Sequence, residues 1–170
     1  MADFWTNHFN VYAQKGIQII QAGPKAINDA YQYRLLLESS AVRLFAETAS
    51  DEEVSALAQS VERSLEALTR FPEDREIRVA ALDCDYQFHK ELIDFQGNEI
   101  VSKHYSLNAA RLRLFRTSLG EPLQRLELAA KEHLQVLQAC RDRDPELAAQ
   151  RLTAHIGISR EHTLGIRPMR

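Results

Sequence analysis

Asp85 and His89 stand four residues apart in Asp85-Tyr86-Gln87-Phe88-His89, a stretch that holds no helix breaker. On a helix this spacing puts one carboxylate and one imidazole about 40° apart on one face, a turn from each other, where both can reach one ion. Taken alone, such a pair is more often capped, solvated or structural than metal-binding. Its weight therefore depends on which other donors converge. His133 borders the apolar stripe of Leu126, Ala129, Ala130, Leu134 and Leu137, and His155 follows Leu147 and Leu152 and precedes Ile158. Each histidine by itself reads as a core or surface residue. Three on inward faces, with an aspartate one turn before the first, make a donor set of three imidazoles and one carboxylate that suits a borderline divalent ion.

A second feature is a pair of charges on an apolar line. The stripe Ile27, Tyr31, Arg34, Glu38, Val42, Phe45 advances in steps of three and four, the period of a helix face. Arg34 and Glu38 could pair with each other on a half-wet edge, for a few tenths of a kcal/mol. The sharper reading turns Arg34 into a polar cavity.

The elements that must position these groups are all helical. Residues 3–21 carry Phe4, Trp5, Phe9, Tyr12, Ile17, Ile19 and Ile20 and stop at Gly23-Pro24. A second helix runs from Pro24 to about Thr48. Ser50 and Glu53 form a capping box that opens a third helix through Val54, Leu57, Val61, Leu65 and Leu68. Phe71-Pro72-Glu73-Asp74 breaks the chain before the helix bearing Asp85 and His89, which stops at Gly97, and Asn98 caps the next. That helix spans Glu99 to about Ser118 and includes His104, Asn108, Arg111, Arg113 and Arg116, its arginines expected mostly in solvent. A helix from about Pro122 to Arg141 carries His133. Asp144 and Pro145 then open the last, with His155, before a frayed tail from Gly165 to Arg170. The pattern predicts an all-α antiparallel bundle of six to seven helices around a central metal and ligand cavity.

Composition bounds the alternatives. A chain of 170 residues fits one domain and buries roughly 70% of its unfolded surface. Cys84 and Cys140 have no CxxC spacing and read as small buried residues in a reducing compartment. A net charge of −3 argues against this chain itself gripping nucleic acid, and no run is apolar enough to span a membrane. The N-terminus lacks the basic and apolar regions of a signal peptide, so a cytoplasmic protein is expected.

The order of several stretches resembles the FCD ligand-binding domain of FadR-type regulators in the GntR family of bacterial transcription factors. Tyr33-Arg34-Leu35-Leu36-Leu37-Glu38, followed by Ala41 and Ala46, is similar to that family's opening R-x-x-x-E helix. Asp85 to His89, with Gln96-Gly97-Asn98, resembles its D-x-x-F-H segment. Glu132-His133-Leu134 with Val136-Leu137, Arg143-Asp144 with Ala148, and Ala154-His155-Ile156 resemble its closing part. The resemblance covers roughly residues 28–160. It implies metal ligands at Asp85, His89, His133 and His155, with zinc first and nickel, manganese or iron as alternatives. It also implies a small carboxylate effector, since a dication with one carboxylate leaves positive charge and Arg34 adds a bidentate fork, supported by Glu38. Asn108 and Arg111 are further candidates for the effector contact.

The domain reading is thus a packing or linker helix over 1–23 and an effector-binding domain over 24–170. By resemblance the protein is a homodimer that reaches DNA through an N-terminal winged helix-turn-helix, for which the residues before Arg34 are too few. The effector would shift the helices bordering the pocket and so reorient the DNA-binding domains. A small helical metalloenzyme that activates water is the alternative, and it lacks an evident general base. A metal-free relative taking a larger acyl ligand is a third reading, which the intact histidine set disfavours.

Overall fold

The computed structural model describes residues 23–119 and 121–166, and among them every regular element is an α-helix. They are α1 Pro24–Thr48, α2 Asp51–Arg70, α3 Arg75–Asp94, α4 Glu99–Leu119, α5 Leu123–Arg141 and α6 Pro145–Thr163. The helix expected over 3–21 lies outside the described residues, as do the last four residues of the expected tail.

Local chemistry accounts for the helix boundaries. Pro24 occupies the first turn of α1, where its missing N–H costs nothing. Ser50 Oγ accepts from the Glu53 amide at 3.1 Å, and the Glu53 carboxylate accepts from the Ser50 amide at 2.8 Å, so the expected capping box is complete. Asp74, expected only as part of a break, is the N-cap of α3 and accepts from the amides of Glu76 and Ile77. Gly97 takes φ of 68°, the left-handed conformation that lets the chain reverse after α3. Asn98 Oδ1 then accepts from the amides of Ile100 and Val101 and starts α4. Asp144 caps α6 through the Leu147 amide, with Pro145 at the first helical position.

The helices assemble by burying one face each. Helix α1 lies chiefly along α6, α6 along α5, and α5 along α2, which also packs on α3. Between them Val42, Phe88, Leu92, Ile93, Leu137, Leu152 and Ile156 are removed from water, each such side chain contributing about 1.5–3 kcal/mol of transfer free energy. Phe45 meets Phe95 edge-on, with ring centroids 4.9 Å apart. Helix α4 is held mainly by α3 and has thinner packing against α1 and α6. It is the wall with least tertiary packing around the cavity described below.

Candidate metal centre and acid cavity

The apolar core is interrupted in its middle by charged and titratable side chains. Asp85 and His89 project inward from α3, His133 from α5 and His155 from α6, and none is more than 8% exposed. Phe88 stacks on the His133 ring at 3.9 Å and fixes its plane. One ligating atom from each of the four residues can be chosen so that all lie within 4.8 Å of one another. His155 Nε2 is 3.2 Å from both His89 Nε2 and His133 Nε2, and His133 Nε2 is 3.7 Å from Asp85 Oδ1. Nitrogens bound to a common ion at about 2.1 Å stand roughly 3.0–3.4 Å apart.

The opposite edges of two rings fix where their protons sit. His89 Nδ1 lies 2.7 Å from Glu38 Oε2, and His155 Nδ1 lies 2.6 Å from Glu132 Oε2. An ionised carboxylate only accepts, so each neutral ring carries its proton on Nδ1 and presents a bare lone pair at Nε2. Burial lowers all three imidazole pKa values, His155 to about 4, so the rings are neutral near pH 7. The Nε2 atoms of His89 and His155 therefore face each other at 3.2 Å with no proton between them. A cation satisfies that geometry. The Asp/His cluster could hold a metal ion, and its donors are those of a transition-metal site.

Burial, the largest single influence, would raise the Asp85 carboxyl, but Arg116 together with His133, His89 and His155 holds the group well below the usual carboxylate range. Arg116 Nη1 donates to Asp85 Oδ2 at 2.5 Å and its Nε to Glu121 Oε2 at 2.9 Å. Expected in solvent, Arg116 is instead only 8% exposed. Its spacing gives the signal in retrospect: Tyr105, Ala109, Leu112 and Arg116 follow steps of four, three and four along one face of α4.

That face, with α1 and α3, encloses a cavity of about 30 Å³ lined by Arg34, Asp85, His89, Tyr105 and Arg116 among others. It has room for roughly two waters. Arg34 is buried there, its Nε donating to Glu38 Oε1 at 2.6 Å, while its Nη2 is buried with no hydrogen-bond partner. A buried guanidinium donor without an acceptor is costly, and an anion's oxygen would satisfy it. Glu38 is fully occupied, receiving Arg34 and Tyr105 on Oε1 and His89 on Oε2. Burial would raise its carboxyl, yet Arg34 and the donated hydrogen bonds bring it down to about 2. It has no free oxygen with which to act as a general base.

Asn108 and Arg111 stand elsewhere. Asn108 Nδ2 donates to the Ala30 carbonyl at 3.1 Å, and both residues line a separate surface groove with Tyr33, His104 and Phe115. Arg111 is turned roughly 120° around α4 from Tyr105, so the helical step that relates it to Asn108 carries it away from the cavity. Glu132 enters from the sequence only as part of a family-like stretch, with no role at the site, and Arg125 is not singled out there. Arg125, only 1% exposed, donates to Glu132 and to Ser159 and thereby braces the carboxylate that holds His155.

Comparison with known proteins agrees with this architecture. The family model described as the FCD domain matches residues 29–157. The chain is 32% identical over 143 residues to the HTH-type transcriptional repressor NanR of Klebsiella aerogenes, covering 79% of this chain and 50% of that protein. It is 26% identical over 149 residues to YdhC of Bacillus subtilis, an HTH-type transcriptional regulator, covering 88% and 65% respectively. The chain thus spans about half to two-thirds the length of these relatives. Among solved structures, the metal-free FCD domain of the proposed regulator TM0439 superposes with a TM-score of 0.70 at 23% identity, covering 85% of this chain and 96% of that one. No helix among the described residues is long and apolar enough to cross a membrane.

Proposed function

The chain belongs to the FCD domain family, and from that premise we propose that it is the effector-sensing part of a bacterial transcriptional regulator, binding a divalent metal among α3, α5 and α6 and a small carboxylic acid in the adjoining cavity between α1, α3 and α4. The observation that carries the reading is the pair of unmet demands at one place: facing Nε2 lone pairs on His89 and His155, and the unpartnered Nη2 of Arg34. Asp85, His89, His133 and His155 would hold the ion, zinc first, with nickel, manganese or iron as alternatives. The ion would supply positive charge and open positions for an acid's oxygens. Arg34 would orient the carboxylate through its free Nη2, and Tyr105 and Glu38 keep that guanidinium in place.

The cavity volume of about 30 Å³ is too small for an acid of more than a few atoms, so binding must part its walls. Helix α4, the wall with thinner packing, is the element to move. A ligand that binds better when α4 is displaced shifts the population of that state, and the shift can be passed to DNA-binding modules on the N-terminal side of the domain, in a homodimer. Such modules are the helix-turn-helix parts for which the relatives are named.

Metal analysis of the purified chain, with a thermal-shift screen of organic acids at saturating zinc, tests the reading. Stoichiometric metal and a rise in melting temperature with particular acids are expected. Absence of metal binding, or acid responses unchanged in Arg34→Ala, would overturn it.

A further inference from the structure

Glu38 bonds directly to a residue of each half of the proposed site, His89 on the metal side and Arg34 on the acid side. Its Oε2 accepts from His89 Nδ1 at 2.7 Å, while its Oε1 accepts from Arg34 Nε at 2.6 Å and Tyr105 OH at 2.8 Å. It is entirely buried, and Arg34 and His89 are both below 5% exposed. We propose that Glu38 is a positioning residue that couples the two halves, fixing the proton of His89 on Nδ1 so that Nε2 is bare toward the metal position, and aiming Arg34 Nη2 into the acid cavity. The inference rests on the metal-and-acid reading given above and deepens it.

The physical argument is one of shared geometry. Three donors converge on two oxygens, and the α1 backbone sets Arg34 one turn before Glu38. Any rotation of the carboxylate that lengthens the His89 bond also moves the acceptor of Arg34. Glu132 provides the internal comparison. It holds His155 Nδ1 at 2.6 Å in the same manner, but its other partner is Arg125, which donates to Ser159 and does not line the acid cavity. Loss of Glu132 therefore disturbs a metal ligand alone, and loss of Glu38 disturbs a metal ligand and the acid anchor together. Glutamine is close to isosteric with glutamate, but its amide NH2 can donate to His89 Nδ1. That reverses the tautomer and places the proton on Nε2, where it blocks a metal.

Three measurements on the full chain test this. In zinc-free wild type, long-range 1H–15N spectra should show His89 and His155 as neutral Nδ1–H tautomers, and an Nε2–H tautomer at His89 overturns the inference without recourse to any variant. In Glu38→Gln the His89 signals should switch tautomer while those of His155 stay, and zinc affinity measured by chelator competition should fall roughly 10–100-fold. Glu132→Gln should lower zinc affinity as well. At saturating zinc, glycolate and acetate serve as probes: Glu38→Ala, which takes away the acceptor of Arg34 Nε, should bind them at least about tenfold more weakly, and Glu132→Ala within about twofold of wild type. Equal losses of acid affinity in the two alanine variants, or none in Glu38→Ala, overturn the coupling while leaving the acid-sensing reading in place. A wild-type chain that binds neither zinc nor acid overturns both.

Discussion

Acidifying the metal-free protein from pH 7 to pH 5 should weaken its fold through the buried imidazoles before its carboxylates begin to protonate. His155 illustrates the size of the effect. Its pKa falls from an ordinary value near 6.5 to about 4 in the folded state, because burial penalises the charged ring. Between those values the unfolded chain binds a proton that the folded chain does not, so stability falls with falling pH. The stability is intact above pH 6.5, is lost progressively below it, and stops declining only near pH 4. Over two pH units from neutrality the loss from this one ring is about 2 kcal/mol, and His89 and His133 shift in the same direction. Glu38 works in a lower window: its pKa is depressed from 4.5 to about 2, so its contribution is present above 4.5 and disappears toward 2. The assay is denaturant unfolding in chelator at fixed ionic strength, comparing wild type with His155→Gln at both pH values. The stability difference between the two proteins should move by about 2 kcal/mol in favour of the variant on acidification. A difference constant to within about 0.5 kcal/mol would refute the claim that His155 is held neutral by burial.

Further outcomes follow from the same geometry. Zinc at a hundred times its dissociation constant should raise stability by about 2.7 kcal/mol, seen as a melting-temperature rise of roughly 5–11 °C that chelator reverses. Arg34→Ala should retain zinc by metal analysis yet bind small acids at least about tenfold more weakly, since it removes a charge-assisted donor worth about 1.5–3 kcal/mol. Arg111→Ala, altering a side chain on the separate groove, should leave acid affinity within about twofold, as isothermal titration would show. Ser50→Ala breaks the capping box of α2 and should cost about 1 kcal/mol in denaturant unfolding without changing zinc content.

The helices and their caps were readable because each depends on neighbours in sequence. Ser50 with Glu53, Gly97 with Asn98, and Asp144 with Pro145 carry their meaning within a few residues. The Asp85 and His89 pair was readable for the same reason, and the inward periodicity of the last two helices brought in His133 and His155. What escaped was azimuth around α4. That helix carries Asn108, Arg111, Arg113 and Arg116, and several of its apolar residues are exposed, including Ile100, Leu107 and Leu114. Hydrophobicity therefore does not point to its buried side, and the sequence favoured Asn108 and Arg111 over Arg116. The face is settled by Tyr105, whose hydroxyl needs Glu38, and by Leu112, and those are contacts between distant parts of the chain. Glu132 and Arg125 escaped for a related reason. A glutamate beside a histidine and an arginine two turns earlier look like a solvated helix edge until α6 brings Ser159 and His155 against them.

The charges gathered at the centre constrain what the cavity can accept. Asp85, Glu38, Glu121 and Glu132 are each matched against the guanidiniums of Arg34, Arg116 and Arg125, leaving one carboxylate in excess. The imidazoles, held neutral, add nothing to this balance. A divalent ion at the histidines would turn the single excess negative charge into a single positive one, in a region where an unbalanced charge is expensive. One carboxylate would restore neutrality, and it would do so next to Nη2 of Arg34, which among the described residues is the guanidinium nitrogen at this cavity that is buried without an acceptor. A second carboxylate on the same molecule would restore the excess with the opposite sign unless it reached solvent. With a divalent ion bound as proposed, the cavity would favour acids with one buried carboxylate, any further charge being carried on the part of the molecule that pushes α4 aside.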